Sequence, residues 1–310
     1  MLKVNDFFCG AGGVGLGFKN AGFEIAGAWD FDKYAVMSYA HNVDEKVQLR
    51  NIKNMHWYDI PKADVWFFGF PCQDVSVAKN NGKGLEGEKS GLFYEIMRLL
   101  DEVIQYAPDR RPRVIVAENV KNIKRWLAVV ENEYSARGYK FSAELENSIY
   151  FEVPQNRQRV LMVGVLETEE KEFIFPKKEN KTTLKFADIL EREVAEKYYI
   201  HKPYHLFDKP RQSVIGLLDI KGLDIVKRIY KTDGYAPTLT TSQGGYRQPK
   251  IIDEKGLRKA TPREYARLQG FPDSYEQIVS DAQFYKQMGN AVTVTVAYAF
   301  AMSIKEMLES

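Results

Sequence analysis

The sequence predicts an α/β fold in which helices cover a parallel β-sheet, followed by a smaller and less regular module. Over the first 165 residues, short apolar runs alternate with stretches of helical periodicity, which is the βαβ pattern. Over residues 171–259 that alternation is lost, and short strands, Gly and Pro dominate. The 310 residues, 45% of them hydrophobic, suffice for a sizeable core and about two domains.

The predicted elements start at once. A strand at residues 2–8 leads through a glycine loop into a helix that ends near Ala21, where Gly22 can adopt the left-handed conformation. This part also has predicted strands at residues 23–29, 63–70, 114–117 and 160–165 and an amphipathic helix at residues 92–106. A further helix and strand are predicted between the last two of these strands.

Two helices are predicted near the end of the chain. Residues 261–264 (TPRE) form a capping box with proline at the first helical position, and Gly270 can end the helix that follows. The apolar stretch 291–302 predicts a last helix, with Asn290 as its N-cap.

Composition and charge exclude several classes of protein. The 44 Lys and Arg against 42 Asp and Glu give a net charge of +2, which excludes a uniformly basic coat for nucleic acid. Two cysteines exclude a disulfide scaffold and an all-cysteine zinc site, and Pro203 breaks the helix that His201 and His205 would need to share a metal. Without a signal peptide or an 18-residue apolar run, we expect a cytoplasmic protein with no membrane segment and no metal.

The glycine loop predicts a cofactor site. Residues 10–15 (GAGGVG) fit the G-x-G-x-x-G pattern between a strand and a helix, and Asp30 follows the next strand. Glycine lets a cofactor approach the backbone, and a carboxylate there can bind ribose hydroxyls. The pattern predicts an adenosine-containing cofactor and does not separate a dinucleotide from S-adenosylmethionine; a tight turn with small packing residues is the alternative.

Cys72 is a candidate nucleophile. It follows a buried strand and Pro71, at the edge of a parallel sheet where ligands bind. A lone cysteine is usually an inert core residue, but the polar neighbours Gln73, Asp74 and Ser76 make a poor core segment. A reactive thiolate here needs nearby positive charge.

An acid and two cations are predicted at the same edge. Glu118 follows an apolar strand, where a carboxyl group can have a raised pKa and donate a proton, although a helix-capping acid is an equal alternative. Arg157 and Arg159 alternate just before a strand, a pattern more usual of a solvated sheet edge.

Seven short segments follow one another along the chain. They are DFFCGAGG (6–13), GFPCQDVS (69–76), KSGLFYE (89–95), ENV (118–120), QNRQR (155–159), RLQGFP (267–272) and GNAV (289–292). Their order resembles that in the C5-cytosine DNA methyltransferases, and in length and layout the chain is most similar to the small bacterial enzymes of restriction-modification systems. The resemblance runs from Lys3 almost to the end, except for the variable residues 185–250.

The resemblance implies a Rossmann-like S-adenosylmethionine-dependent methyltransferase sheet with a smaller target-recognition domain. Residues 1–185, completed by residues 286–310, would bind the cofactor and carry the chemistry. Residues 186–285 would form the target-recognition domain and the hinge.

The resemblance also implies the chemistry. The Cys72 thiolate would add to carbon 6 of a flipped-out cytosine in duplex DNA while Glu118 protonates ring N3. Carbon 5 would then take the methyl group of S-adenosylmethionine, leaving S-adenosylhomocysteine. Arg159, supported by Arg157, would contact the base and keep the thiolate ionised, and residues 77–90 would close as a lid.

The resemblance assigns the cofactor contacts residue by residue. Asp30 would bind the ribose and Phe31 would contact the adenine face. Residues 290–292 would close the cofactor site on its remaining side. The family usually has an acid where this chain has Asn51, whose oxygen could accept the same bond from the adenine amino group. The full set is Phe8, Gly10, Gly12, Asp30, Phe31, Asn51, Ile52, Pro71, Leu92, Asn290, Ala291 and Val292.

The DNA contacts are predicted in the lid and in a basic region. Residues 221–270 carry 11 Lys and Arg against 5 Asp and Glu, a local charge of +6 in a chain whose total is +2. Any one of these side chains could instead belong to a solvated basic face. Ala78 replaces a serine that is common in relatives. The predicted contacts are Ser76, Lys79, Lys83, Lys89, Arg228, Thr238, Gln243 and Tyr246.

Three other functions are compatible with parts of the pattern. An RNA (tRNA) cytosine-C5 methyltransferase would share the catalytic set, a dinucleotide-dependent oxidoreductase would share the glycine loop, and a silent DNA-binding module would share the basic region. The main prediction is a monomeric enzyme of a bacterial or archaeal nucleoid that modifies double-stranded DNA, with a cognate restriction endonuclease that acts on the same site without binding it.

Overall fold

The computed structural model describes residues 1–70, 91–241 and 246–310. They form two compact units. Unit 1 comprises Met1–Glu146, Gln158–Lys177 and Val296–Ser310, and unit 2 comprises Asn147–Arg157 and Lys178–Thr295. The predicted α/β fold is confirmed, whereas the functional domain limits given above stay a prediction.

The described residues contain the following strands and α-helices. The strands are β1 (Lys3–Phe7), β2 (Glu24–Asp30), β3 (Val47–Leu49), β4 (Val65–Gly69), β5 (Val114–Val120), β6 (Tyr139–Asn147), β7 (Gln158–Leu166), β8 (Tyr204–Arg211), β9 (Val214–Leu218), β10 (Arg228–Tyr230), β11 (Lys250–Asp253) and β12 (Gly256–Lys259). The helices are α1 (Gly13–Asn20), α2 (Lys33–Asn42), α3 (Leu92–Tyr106), α4 (Leu127–Ser135), α5 (Asp224–Lys227), α6 (Pro262–Leu268), α7 (Asp281–Asn290) and α8 (Val294–Glu309).

Unit 1 is built on a seven-stranded sheet in the order β3-β2-β1-β4-β5-β7-β6. Strands β3, β2, β1, β4 and β5 pair in parallel, and β7 pairs with β5 antiparallel. The central strands read as continuous apolar runs because both faces are covered; Val65, Trp66 and Phe67 of β4 are all fully buried.

Helix α3 shows how the sequence pattern creates the packing. Its apolar positions recur with helical spacing, and the side chains of Phe93, Ile96 and Leu100 are fully buried in the core of unit 1. The structure gives this helix the bounds that the periodicity predicts, residues 92–106.

Unit 2 contains a smaller five-stranded sheet in the order β12-β11-β10-β9-β8. Its core is small, with Leu218, Ile229 and Leu257 among the buried members. The short strands of this sheet confirm the predicted loss of the βα alternation in this region.

The predicted capping box is also confirmed, since the Thr261 hydroxyl accepts a hydrogen bond from the Glu264 amide and the Glu264 carboxylate accepts from the Thr261 amide.

Two predicted boundaries are wrong. Asn290 is the last residue of α7 instead of the N-cap of the final helix, because Ala291 is extended (φ −60°, ψ 144°) and the chain becomes helical again only at Val294. Strand β5 continues to Val120, so Glu118 lies within the strand instead of after it.

One segment of the described residues, Asp281–Glu309, which spans α7 and α8, is long and apolar enough to cross a membrane by length and composition alone. In its most apolar window, 56% of the residues are buried inside the protein. A core helix of a soluble protein meets the same criterion, so this stretch carries little weight as a membrane segment.

Candidate active site

The parallel strands of unit 1 bring their carboxyl ends to one edge of the sheet. The register pairs Phe7 of β1 with Trp29 of β2 and with Phe68 of β4, and Gly69 of β4 with Glu118 of β5. In the sheet, β2 and β3 lie on one side of β1, whereas β4 and β5 lie on its other side. The strand order therefore reverses between β1 and β4, and a crevice is expected at the carboxyl ends of these two strands.

A small, open cleft lies at this edge. Six residues that the sequence assigned to the cofactor line it together with Trp29 and Arg50, which sequence reasoning missed although each stands next to an assigned residue. The described residues lining the cleft are Phe8, Trp29, Asp30, Phe31, Arg50, Asn51, Ile52 and Leu92.

The remaining predicted cofactor residues are not among those that line the cleft. Gly10 and Gly12 belong to the loop after β1, and Pro71 is outside the described residues. Asn290, Ala291 and Val292 are in unit 2, where they form the end of α7 and the turn that follows.

Asp30 is the buried carboxylate of the cleft. Its Oδ2 accepts a hydrogen bond from the Gly10 amide at 2.9 Å and its Oδ1 accepts from the Asp32 amide at 2.8 Å. Burial raises the pKa of this carboxyl above its ordinary value, and the amides of Asp32 and Gly10 counteract the rise. Each oxygen keeps a further lone pair, so the carboxylate can still accept bonds from two hydroxyls of a ligand.

The glycines of the loop serve two different purposes. A Cβ on Gly12 would lie 2.5 Å from the Val43 side chain, and one on Gly15 would lie 2.3 Å from the Tyr39 hydroxyl, so both allow α1 and α2 to pack closely. A Cβ on Gly10 would meet nothing within 4 Å among the described residues, and its φ of +55° suits glycine. Gly10 therefore leaves open space where a ligand can approach the backbone.

A buried acid lies beneath this loop. Asp6 is fully buried in β1; its Oδ2 accepts a hydrogen bond from the Tyr39 hydroxyl at 3.4 Å. Burial raises its pKa to about 8, and Tyr39 and the Gly15 amide oppose that rise. Burial also raises the pKa of the neighbouring Cys9 thiol, which keeps it protonated and suits a packing role.

We expect Asp6→Asn to flatten the pH dependence of the free energy of unfolding. Between the ordinary pKa of 3.8 and the folded value of about 8, the folded protein holds a proton that the unfolded chain releases. Wild-type stability should therefore fall as pH rises, by up to about 1.4 kcal/mol per pH unit. Urea unfolding at several pH values measures both slopes, with Asp109→Asn on the exposed surface as the charge-matched control. Equal slopes in Asp6→Asn and wild type would contradict this assignment.

Glu118 and Arg159 form an ion pair at the same sheet edge. Arg159 Nε lies 3.0 Å from Glu118 Oε1, and both side chains are largely buried. The antiparallel register, which pairs Val120 with Arg159, places the first residues of β7 beside the last residues of β5. The predicted acid and one predicted cation are thus in direct contact.

Asn119 ties β5 to the end of β4. Its Nδ2 donates to the Phe70 carbonyl at 3.1 Å, and its Oδ1 accepts from the Val120 amide at 2.8 Å. Because Phe70 precedes Pro71 and Cys72 in the chain, this contact fixes where the segment carrying the predicted nucleophile begins. Cys72 itself lies outside the described residues.

Arg157 has surroundings different from those of Arg159. Its guanidinium is buried in unit 2 and donates to the carbonyls of Leu239 (3.4 Å), Gly289 (3.3 Å) and Ala291 (2.9 Å). These bonds hold the segment around Leu239 against the turn after α7. They suit the supporting role assigned to Arg157 better than direct contact with a substrate.

Of the three predicted DNA contacts that the structure describes, two make internal polar bonds and one packs on the core. Arg228 pairs with Asp224 at 2.6 Å, the exposed Thr238 donates to the Asn156 carbonyl at 2.6 Å, and Tyr246 packs on the unit 2 core. The other predicted contacts lie outside the described residues; these are Ser76, Lys79, Lys83, Lys89 and Gln243.

Within residues 1–70, 91–241 and 246–310, no three His, Cys, Asp or Glu side chains are grouped so that they could hold a metal ion.

Comparison with known proteins places these features in a family. The model of the C-5 cytosine-specific DNA methylase family matches residues 2–306. Type II methyltransferase M.Bsp6I of Bacillus sp. (strain RFL6) is 34% identical over 99% of this chain and 100% of its own length. Type II methyltransferase M.NlaX of Neisseria lactamica is 35% identical over 100% of this chain and 98% of its own.

A solved structure shares the fold. The Dnmt2 methyltransferase of S. pombe superposes with a TM-score of 0.73 over 99% of both chains, at 20% sequence identity. With its sequence matched almost from end to end by the family model and by relatives of similar length, the chain belongs to the C-5 cytosine-specific DNA methylase family.

Proposed function

We propose that this protein transfers a methyl group from S-adenosylmethionine to carbon 5 of a flipped-out cytosine in a specific short sequence of duplex DNA. The observation that carries the proposal is the Glu118–Arg159 pair, which lies at the sheet edge reached by the end of β4, three residues before Cys72. Family membership supports the reaction class, and the alternative with a dinucleotide cofactor leaves this pair without a role.

The cleft fits an adenosyl cofactor. Phe31 presents an aromatic ring that is 71% exposed, Asp30 supplies a carboxylate for ribose hydroxyls, and Gly10 leaves space beside the backbone. When bound, S-adenosylmethionine supplies an electrophilic methyl group. S-adenosylhomocysteine is the expected product.

The residues of the chain perform the remaining steps. The Cys72 thiolate adds to carbon 6, which breaks the carbon 5–carbon 6 double bond while Glu118 gives a proton to ring N3. The electron pair moved to carbon 5 would then form the new bond to the methyl carbon as the methyl–sulfur bond breaks, and the sulfur of the departing S-adenosylhomocysteine would keep the pair of the broken bond. A water-mediated base removes the carbon 5 proton, the double bond re-forms, and Cys72 leaves as the thiolate while N3 returns its proton.

The two arginines have different roles. Arg159 lies 3.0 Å from the Glu118 carboxyl, contacts the base and supplies the positive charge that favours the thiolate form of Cys72. Arg157 has a supporting role and does not touch the substrate, since its guanidinium donates to three backbone carbonyls.

The division of labour follows the two parts of the chain. We assign catalysis and cofactor binding to residues 1–185 with 286–310, and recognition of DNA to residues 186–285. The +6 charge of residues 221–270 supports a contact with phosphate in the second part. By analogy with the type II relatives, we further assign the protein to a restriction-modification system, acting as a monomer in the cytoplasm beside a separate endonuclease.

Methyl transfer by the pure protein tests this function. Labelled S-adenosylmethionine is incubated with duplex DNA and, separately, with transfer RNA, and bisulfite sequencing then locates the modified cytosines in the DNA. We expect methylation of duplex DNA within one short sequence. Transfer to RNA alone would replace this proposal with the RNA enzyme, and failure on both would overturn it.

A further inference from the structure

The side-chain amide of Asn51 has a fixed orientation at the rim of the cleft. Asn51 caps the short 3-10 helix Ile52–Asn54, and its Oδ1 accepts a hydrogen bond from the Lys53 amide at 3.1 Å. The backbone N–H of Lys53 needs an acceptor. If the Asn51 side chain were flipped, Nδ2, which is itself a donor, would face this N–H and the cap would be lost. The cap therefore decides which branch is oxygen and which is nitrogen.

The amide also offers a donor. Oδ1 gives one lone pair to the cap and keeps a second, while Nδ2 adds two hydrogens that a carboxylate would lack. An aspartate in the same place could cap the helix with one oxygen and offer a second acceptor with the other. Asn51 thus adds a donor beside the remaining acceptor, where a carboxylate would offer acceptors alone.

The neighbourhood is rich in donors. Among the described residues that line the cleft, Asp30 is the single carboxylate, and its oxygens already accept from the amides of Gly10 and Asp32. Arg50, next to Asn51, adds a guanidinium whose Nη2 lies 3.5 Å from Asp59. The exposed ring of Phe31 provides a surface on which a flat base can stack.

We propose that Asn51 determines the purine specificity of the cofactor cleft by donating a hydrogen bond to an acceptor on the base edge. This rests on the proposed function, which places an adenosyl group in the cleft. Adenine offers ring nitrogen acceptors beside its amino group, and a 6-oxopurine offers the carbonyl oxygen O6. A donor serves both, whereas a carboxylate favours the 6-amino group and repels O6. The cleft therefore binds 6-amino and 6-oxopurine nucleosides with little discrimination.

Binding of two product analogues tests this proposal without turnover. Isothermal titration of the full chain with S-adenosylhomocysteine and with S-inosylhomocysteine, its 6-oxo counterpart, gives a ratio of dissociation constants for each variant. We expect a ratio within about threefold for wild type and a preference of at least about tenfold for the 6-amino form in Asn51→Asp.

Two controls separate charge and folding from specificity. Asn54→Asp adds the same charge to the same short helix at a position that does not line the cleft, so its ratio should match wild type. Asn51→Asp keeps an oxygen for the cap, and its thermal unfolding should stay close to wild type.

The outcomes distinguish the two proposals. Wild-type binding that favours the 6-amino form by tenfold or more, unchanged in Asn51→Asp, would overturn the specificity role and leave the methyltransferase function intact. Binding of neither analogue would overturn the adenosyl site itself and this inference with it.

Discussion

Cys72→Ser is expected to lower the rate of methyl transfer by at least about 10³-fold. A serine hydroxyl is a weak nucleophile at neutral pH, and without addition to carbon 6 the ring carbon that accepts the methyl group stays unreactive. Single-turnover transfer of label to duplex DNA measures the loss, and gel-shift titration measures DNA binding, which should be retained.

A mechanism-based trap identifies the covalent step. DNA containing 5-fluorocytosine lacks the proton that must leave carbon 5, so wild-type protein with cofactor should form an adduct that survives denaturation. Cys9→Ala is the matched control, since Cys9 is the other cysteine of the chain and its thiol is buried. An adduct formed by Cys72→Ser, or full turnover by that variant, would exclude Cys72 as the nucleophile.

Glu118→Gln is expected to lower kcat by about 10²- to 10⁴-fold while leaving the affinity for DNA within a few fold. The amide preserves the size of the side chain but has no acidic proton to give to ring N3. Because Glu118 pairs with Arg159 at 3.0 Å, the variant also leaves the guanidinium without its carboxylate. Presteady-state methyl transfer separates this loss of chemistry from a loss of binding.

The pair can be tested as a unit. If Arg159 acts partly through Glu118, Arg159→Lys and Glu118→Gln together should cost less than the sum of the two single losses. Glu131→Gln on the exposed face of α4 provides a carboxyl control with unchanged kcat. A kcat for Glu118→Gln equal to that of wild type would remove Glu118 from the chemistry.

Strong local patterns explain which parts of the fold were predictable. The buried strand β4 and helix α3 repeat apolar residues with one clear period, and the capping box at Thr261 is a local motif of four residues. The parallel strands then had to place Gly69 and Glu118 at one edge, because parallel neighbours end on the same side.

Tertiary contacts explain the parts that were not predictable. Nothing local in the apolar stretch after Asn290 indicates that Ala291 is extended, since Arg157, distant in sequence, binds its carbonyl. The pairing of Arg228 with Asp224 is by contrast a local contact, between residues four apart in the sequence.

The direction of one strand explains the unusual position of the arginine motif. Motifs on β1, β4 and β5 stand at or after the carboxyl end of a strand, whereas Arg159 stands near the start of β7. Because β7 is antiparallel to β5, its amino end reaches the edge that the parallel strands reach with their carboxyl ends. A sequence pattern alone does not give strand direction, so this placement required the sheet.

Phe8 shows what this site costs the folded protein. Its backbone has a φ of +55°, a left-handed conformation that glycine adopts freely and that costs another residue about 1–2 kcal/mol. The ring lines the cleft and packs on the core beside it. At this position the chain therefore gives up a small part of its resistance to unfolding so that an aromatic surface, rather than bare backbone, meets the ligand.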